Sequence, residues 1–210
     1  MRATGVRAVW LDGSRIEWRG AAEFDAPDRL SDAIKAALAD LPKHRVRPRV
    51  VVALGPRWAM IRRVPMLVPL SGIHAATAVI RCNPQTFFHY RSPLLIAESG
   101  RGTDGAVWCA ALERTVVGDA IAALGARGLR LHAATTSVAA LTQGRTGAWC
   151  LVDGSDALLV ETVRGRLRTI RRVDPVSAPA VRDGFSEARD AARWRGSSFT
   201  WRPRRGAALR

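Results

Sequence analysis

The chain has 210 residues, of which 48% are hydrophobic and 24% charged, and it carries a formal net charge of +15. That length allows one substantial core or two modest lobes, and the composition is that of an ordinary globular protein. No apolar run approaches the roughly 20 residues that span a bilayer, and the opening MRATGVRAVWLDG has acids and glycines where a signal peptide has an apolar core, so a cytosolic protein is expected.

The first elements lie in AVWLDGSRIEWRGAAEF, from Ala8 to Phe24, which predicts strand, turn at Asp-Gly-Ser, strand, break at Arg-Gly and a third strand. DRLSDAIKAALADLP follows, with Leu30, Ile34, Leu38 and Leu41 at helical steps, Asp28 or Ser31 as N-cap and Pro42 as the stop, a helix of about three turns. The unbroken apolar run Val50 to Leu54 suits a strand covered on both faces, and Gly55-Pro56 turns the chain into a second strand. SGIHAATAVIRC sets Ile73, Ala76 and Ile80 on one helical face before Asn83-Pro84 ends it. PQTFFHY, PLLIAES and AVWCAAL are predicted strands, with a flexible SGRGTDG before the last.

ERTVVGDAIAALGARG is the clearest helix, with Thr115 as cap and Gly128 as the left-handed residue past its end. LRLHAATT is a strand, a short helix spans Ser137 to Leu141, and CLVDGSDALLVETVRGRLRTIRRV repeats the opening pattern as a three-stranded meander. Trp10, Trp58, Trp108 and Trp149 all fall in predicted strands and are expected in the core. The last stretch, WRGSSFTWRPRRGAALR, has no apolar period and is expected to hold little fixed structure.

The charge is unevenly spread. From Arg164 to Arg210 there are thirteen Arg against four acids, and Lys35 and Lys43 are the only lysines in the chain. Such a basic end invites nucleic acid or an anionic membrane surface as a partner. Cys82, Cys109 and Cys150 have no zinc spacing and read as reduced, buried thiols; His44, His74 and His89 have no ligand spacing either. His132, Ser137 and Asp153 are the residue types of a hydrolase triad, but no Gly-x-Ser-x-Gly elbow accompanies them.

From Arg49 to Val173 the chain resembles the actin-like cytoplasmic proteins of inner-membrane assembly platforms, the PilM protein of type IV pili and the L protein of type II secretion. The resemblance lies in VVVALGPRWAMIRRVPMLVPLSGIHAATAVIRCNPQTFF, with its RR-x-P-x-L-x-P-L connection, and in the spacing to AIAALGARGL and LVDGSDALLVETVRGRL. It implies an α/β, actin-like (ribonuclease H-like) fold, partly truncated, with an inserted small α/β subdomain. The first lobe would occupy 1–64 and 113–145, the insert 65–112, the start of a second lobe 146–193 and a basic tail 194–210.

In that fold two hairpin loops hold nucleotide phosphates across a cleft. The resemblance puts Asp12, Gly13 and Ser14 in the first loop and Asp153, Gly154, Ser155 and Asp156 in the second. Both loops read D-G-S where the fold has D-x-G, no lysine follows either, and Asp-Gly is a strong turn signal in its own right, with both residues central in a type I′ turn. The plain turn outweighs the phosphate cradle, so the site is expected to be vestigial, with no cofactor, no metal and no catalysis. ATP with Mg²⁺ would bind only if that site still worked. The resemblance implies a scaffold, peripheral at the inner membrane, that takes up a short cytoplasmic peptide of a bitopic membrane protein. Its rivals are a nucleic-acid binder using the C-terminal arginines and an active actin-like ATPase.

Overall fold

The computed structural model describes residues 4–12, 15–42, 49–64, 72–90, 92–97, 100–142, 145–153, 156–164 and 166–173. β1 (Thr4–Asp12) and β2 (Arg15–Phe24) form an antiparallel hairpin in which Trp10 lies opposite Trp18. The expected break at Arg19-Gly20 does not occur, because β2 runs through it. Gly20 serves another purpose: a Cβ there would collide with the carbonyl oxygen of Ala37 and lie 2.5 Å from the Trp18 ring. The following helix can rest on the strand only over a glycine.

That helix, α1 (Leu30–Ala37), is entered through a 3-10 turn at Pro27–Arg29 and buries Leu30, Ala33 and Ala37. It has two turns, and neither Asp28 nor Ser31 caps it, since Arg29 is the N-cap and makes no side-chain bond. Its C-terminal end is satisfied from outside: Arg127 donates to the carbonyls of Leu38 and Ala39 at 2.7 and 2.8 Å. A cation at that end also suits the helix dipole.

β3 (Arg49–Leu54) pairs in parallel with β8 (Arg130–Thr136), Arg49 opposite Arg130 and Leu54 opposite Thr136. The expectation that β3 is covered on both faces fails, for Val51 is 37% exposed and Ala53 is exposed as well. Gly55 then accepts from the Trp58 amide in a turn to β4 (Ala59–Val64), so Trp58 lies in the turn and not in a strand.

The middle block holds α2 (Ile73–Cys82), α3 (Pro84–Phe88), β5 (Leu94–Ile96), β6 (Gly100–Arg101) and β7 (Val107–Glu113). PQTFF is helical rather than extended. Pro84 is preorganised for the first helical position, and complete burial of Phe88 outweighs the β-propensity of the aromatic pair. SGRGTDG, expected as a loop, contributes β6. Cys82 ends α2 exposed, unlike buried Cys109 and Cys150.

β7 is the wall the clusters share. It lies between β4 and β5, with β6 also paired to it, and is buried from Val107 to Leu112. Trp108 and Ala110 pack with the final meander, Cys109 and Ala111 with Ile80 and Phe88, and Leu112 with α1 and α4. A strand can serve opposite faces in this way because its side chains alternate, and its alanines keep both approaches close.

α4 (Arg114–Ala126) is preceded by Glu113 as N-cap; Thr115, expected to cap, donates instead to Glu113 Oε1 at 3.1 Å. Gly128 takes φ +69 past its end, as expected, and the Leu129 amide donates to Leu124. After β8 come α5 (Ser137–Thr142) and the meander β9 (Gly147–Asp153), β10 (Asp156–Val163) and β11 (Arg166–Val173), in spatial order β11-β10-β9. Here the Arg-Gly break is real, with Arg164 at φ 50. The predicted tail at 194–210 lies outside the described residues.

Candidate functional site

The two Asp-Gly-Ser loops are placed by their hairpins. Asp12 is the last residue of β1, opposite Arg15, and Asp153 the last of β9, opposite Asp156. Gly13, Ser14, Gly154 and Ser155 lie outside the described residues. In each register the aspartate is paired in the ladder, Asp12 with Arg15 and Asp153 with Asp156. The hairpins serve different cores. Val6 and Ala22 of the first pack with Leu30 and Val117, whereas Leu151, Val160 and Leu167 of the second pack with Trp108 and Val138.

Parallel strands in α/β sheets present ligands beyond their carboxyl ends. Here those ends are Leu54, leading to Gly55-Pro56, and Thr136, leading to Ser137. They are closed: Leu158 of β10 comes in beside Ile61 and Val138, and the space among them has a volume of about 0 Å³. Thr136 Oγ1 accepts from the Ala139 amide at 3.0 Å, which caps α5. Ser137 Oγ is buried without a hydrogen-bond partner among the described residues, so it is not bonded to His132, which is exposed on β8.

Glu113 gathers Tyr90, which donates to Oε2 at 3.1 Å, and Thr115. Burial raises the Tyr90 hydroxyl above the ordinary tyrosine value, and the hydrogen bond and negative charge of Glu113 add to the shift. This group ties β7 to the segment after α3; nothing in it resembles a nucleophile and base. Among the described residues no set of three or more His, Cys, Asp or Glu is placed to hold a metal. An open groove of about 370 Å³, not anticipated from the sequence, lies where β2 meets α1, lined by Glu23, Asp25, Arg29 and Asp32 around Phe24 and Ala33. Its only sequence signal is the run of acids in EFDAPDRLSD, which also fits a solvated helix entry.

No protein-family model and no curated protein matches the chain. Solved structures do. One is the PilM-PilN type IV pilus biogenesis complex, a chain of which aligns at 18% identity and a TM-score of 0.59 over 82% of this chain and 59% of its own length. Another is the cytoplasmic domain of EpsL, an inner-membrane component of the type II secretion system of Vibrio cholerae, at 14% identity and a TM-score of 0.47 over 76% of this chain and 60% of that one. The chain therefore spans about three-fifths of the length of each. Its mixed α/β fold is the one it shares with the pilus complex, which agrees with the resemblance carried by Arg49 to Val173.

Proposed function

We propose that the chain is a non-catalytic cytoplasmic scaffold of an inner-membrane assembly platform of the type IV pilus or type II secretion kind. The observation that carries this is the fold shared with a chain of the PilM-PilN complex. The chain would be an actin-like domain, truncated in its second lobe and carrying the block 65–112 as an insert. Its partner would be a bitopic membrane protein offering a short cytoplasmic peptide, with affinity from apolar side chains and direction from backbone hydrogen bonds.

One observation supports the absence of nucleotide chemistry: the strand ends that would present a ligand are lined by Leu158, Ile61 and Val138 with no room for a ligand among them. On this reading ATP with Mg²⁺ is not bound, and no step through it is assigned. Among the described residues no helix is long and apolar enough to cross a membrane. Attachment at the inner membrane would then come through the partner and through the C-terminal arginines, each contributing about 1 kcal/mol near an anionic leaflet.

The test is affinity capture from solubilised membranes alongside DNA binding at two salt concentrations. A small bitopic protein retained at both salts supports the scaffold. Retention of DNA alone, with the steep salt slope of counterion release, moves the nucleic-acid reading ahead. Deleting 197–210 should leave the thermal transition intact and weaken binding to anionic vesicles as salt rises.

A further inference from the structure

The hairpin of β10 and β11, from Asp156 to Val173, carries five exposed arginines, Arg164, Arg166, Arg168, Arg171 and Arg172, against the two acids Asp156 and Glu161. Regular alternation would send Arg166 and Arg171 to opposite faces of the sheet. The register prevents this. A bulge sets Leu167 opposite Thr162 and Thr169 opposite Glu161, which gives β11 one extra residue and restores the two arginines to one face. Arg166 stands opposite Val163 and Arg171 opposite Leu159, and those two positions share a face of β10. The other face is the packed one, where Val160 and Leu167 are buried with Trp108 and Val138.

The tip of the hairpin is held in place and is apolar as well as charged. Arg164 is the one non-glycine residue with a positive φ among the described residues, and its amide donates to Thr146 Oγ1 at 2.8 Å. Thr162 Oγ1 donates to the Arg145 carbonyl at 3.0 Å and accepts from Trp149 Nε1 at 3.3 Å. A backbone kept in the left-handed region by such bonds presents its side chains in one orientation, here Val163 and Arg164. Val163 is 38% exposed, with Arg164 next to it in the chain and Arg166 opposite it. Among the described residues, Arg166, Arg168 and Arg171 take part in no ion pair. Unpaired cations attract phosphates of any kind. The apolar side chain narrows the choice: β10 and β11 have no aromatic residue on which a base could stack, whereas the headgroup and acyl boundary of a bilayer takes up an apolar side chain flanked by cations.

We propose that the β10–β11 hairpin is a docking face for an anionic lipid leaflet, with Val163 entering the headgroup layer and Arg164, Arg166 and Arg171 on the lipid phosphates and carboxylates. Guanidinium groups suit both, because their planar fork matches either anion with two hydrogen bonds. Val163 holds the tip at the surface, where the arginines lie within a Debye length of the lipid charge. The sequence after Val173 adds eight further arginines, so the hairpin is the part of the described fold that leads into the basic end of the chain. That the leaflet belongs to the inner membrane rests on the scaffold reading; the hairpin itself requires only anionic lipid.

The test is sedimentation of the full chain with phosphatidylcholine vesicles, with and without phosphatidylserine, at two salt concentrations. The chain should bind the mixed vesicles and leave the neutral ones. At about fivefold per arginine, Arg166→Gln combined with Arg171→Gln should weaken binding about 25-fold at low salt. Arg166→Lys with Arg171→Lys keeps the charge and should bind nearly as the parent does, which separates lost charge from lost fold. Arg49→Gln with Arg130→Gln, two exposed arginines on another sheet, should lose far less. Val163→Ser should weaken vesicle binding several-fold at both salt concentrations, since apolar burial is not screened, and leave binding to duplex and single-stranded DNA unchanged. Inorganic phosphate should compete no better than chloride at equal ionic strength. Equal losses from the two Gln pairs, a Lys pair as weak as the Gln pair, vesicle binding indifferent to Val163→Ser, DNA binding that falls with it, or specific competition by phosphate each overturns the leaflet face. If a membrane protein is captured while every hairpin variant binds vesicles as the parent does, the hairpin is wrong and the scaffold stands. If the hairpin dependence is found and no membrane protein is captured, the hairpin stands and the scaffold falls.

Discussion

Gly20→Ala should be among the most damaging single-methyl additions in the core shared by the first hairpin, α1 and α4. The added Cβ meets the Ala37 carbonyl oxygen and the Trp18 ring, the ring at 2.5 Å. The Trp18 ring can rotate away, but the carbonyl belongs to the last turn of α1 and moves only if the helix lifts off β2. Lifting also stretches the two bonds from Arg127 to Leu38 and Ala39, the link between α1 and the end of α4. Overpacking costs about 1–3 kcal/mol, and a backbone obstacle places this case at about 2–3. For a chain of this size that is a fall in Tm of about 5–10 °C. The same substitution elsewhere supplies the controls. At Gly5 the nearest non-neighbour atom is the Ala22 carbonyl oxygen at 3.4 Å, so Gly5→Ala should stay within about 0.5 kcal/mol. At Gly118 and Gly125, inside α4, nothing lies within 4 Å, and alanine should stabilise by about 0.5–1 kcal/mol. Urea titrations of the four variants, with unchanged slopes, give the comparison. A Gly20→Ala protein as stable as Gly5→Ala would refute the claim that this glycine exists to admit α1.

Calorimetry with ATP and Mg²⁺ should show no binding at tens of micromolar, a range typical of substrates; saturable binding lost in Asp153→Ala would overturn the non-catalytic reading. Because Asp153 and Asp156 are opposite in register, Asp153→Asn should raise stability by about 0.2–1 kcal/mol through relief of like charge, whereas Gly154→Val, in a two-residue connection, should cost about 1 kcal/mol or more. A loss of partner binding in a stable Asp153→Asn protein would point to anion or cation chemistry instead. Tyr90 is the only tyrosine, so an ultraviolet titration reads it alone. Its midpoint should lie above the ordinary value and fall in Glu113→Gln while staying raised, since burial is the larger cause. The folded state holds that proton more tightly than the unfolded chain, so this contribution to stability is complete below pH about 10 and is lost as pH rises through the folded value.

Most of the fold could be read from periodicity. α4, α5, β7, β8 and the second meander stand where their patterns put them, because in each the local preference and the packing agree. The misses share a cause. Arg-Gly at 19–20 and Arg-Gly at 164–165 are the same dipeptide, yet one is inside a strand and one is a break. The difference is a helix resting on Gly20, a contact no local pattern reports. Phe87 and Phe88 favour extended structure by type but are helical, because α3 delivers Phe88 to a pocket beside Ile80 and Cys109. The candidate loops were easy to find as Asp-Gly-Ser. Their register, which moves the aspartates from the turn into the ladders, depends on how the strands pair and cannot be seen in the dipeptide.

The disagreement at β3 differs in kind from these. The run Val50 to Leu54 asks for a strand with neighbours on both sides and cover on both faces, and its partner β8 and the helices supply only part of that. Elsewhere a mismatch between pattern and structure is resolved by a contact that can be named, as at Gly20 or Phe88. At β3 no contact among the described residues resolves it, and the same holds for Val9 on β1. Two exposed apolar edges on one core are costly to maintain, since each invites aggregation and leaves backbone groups to water.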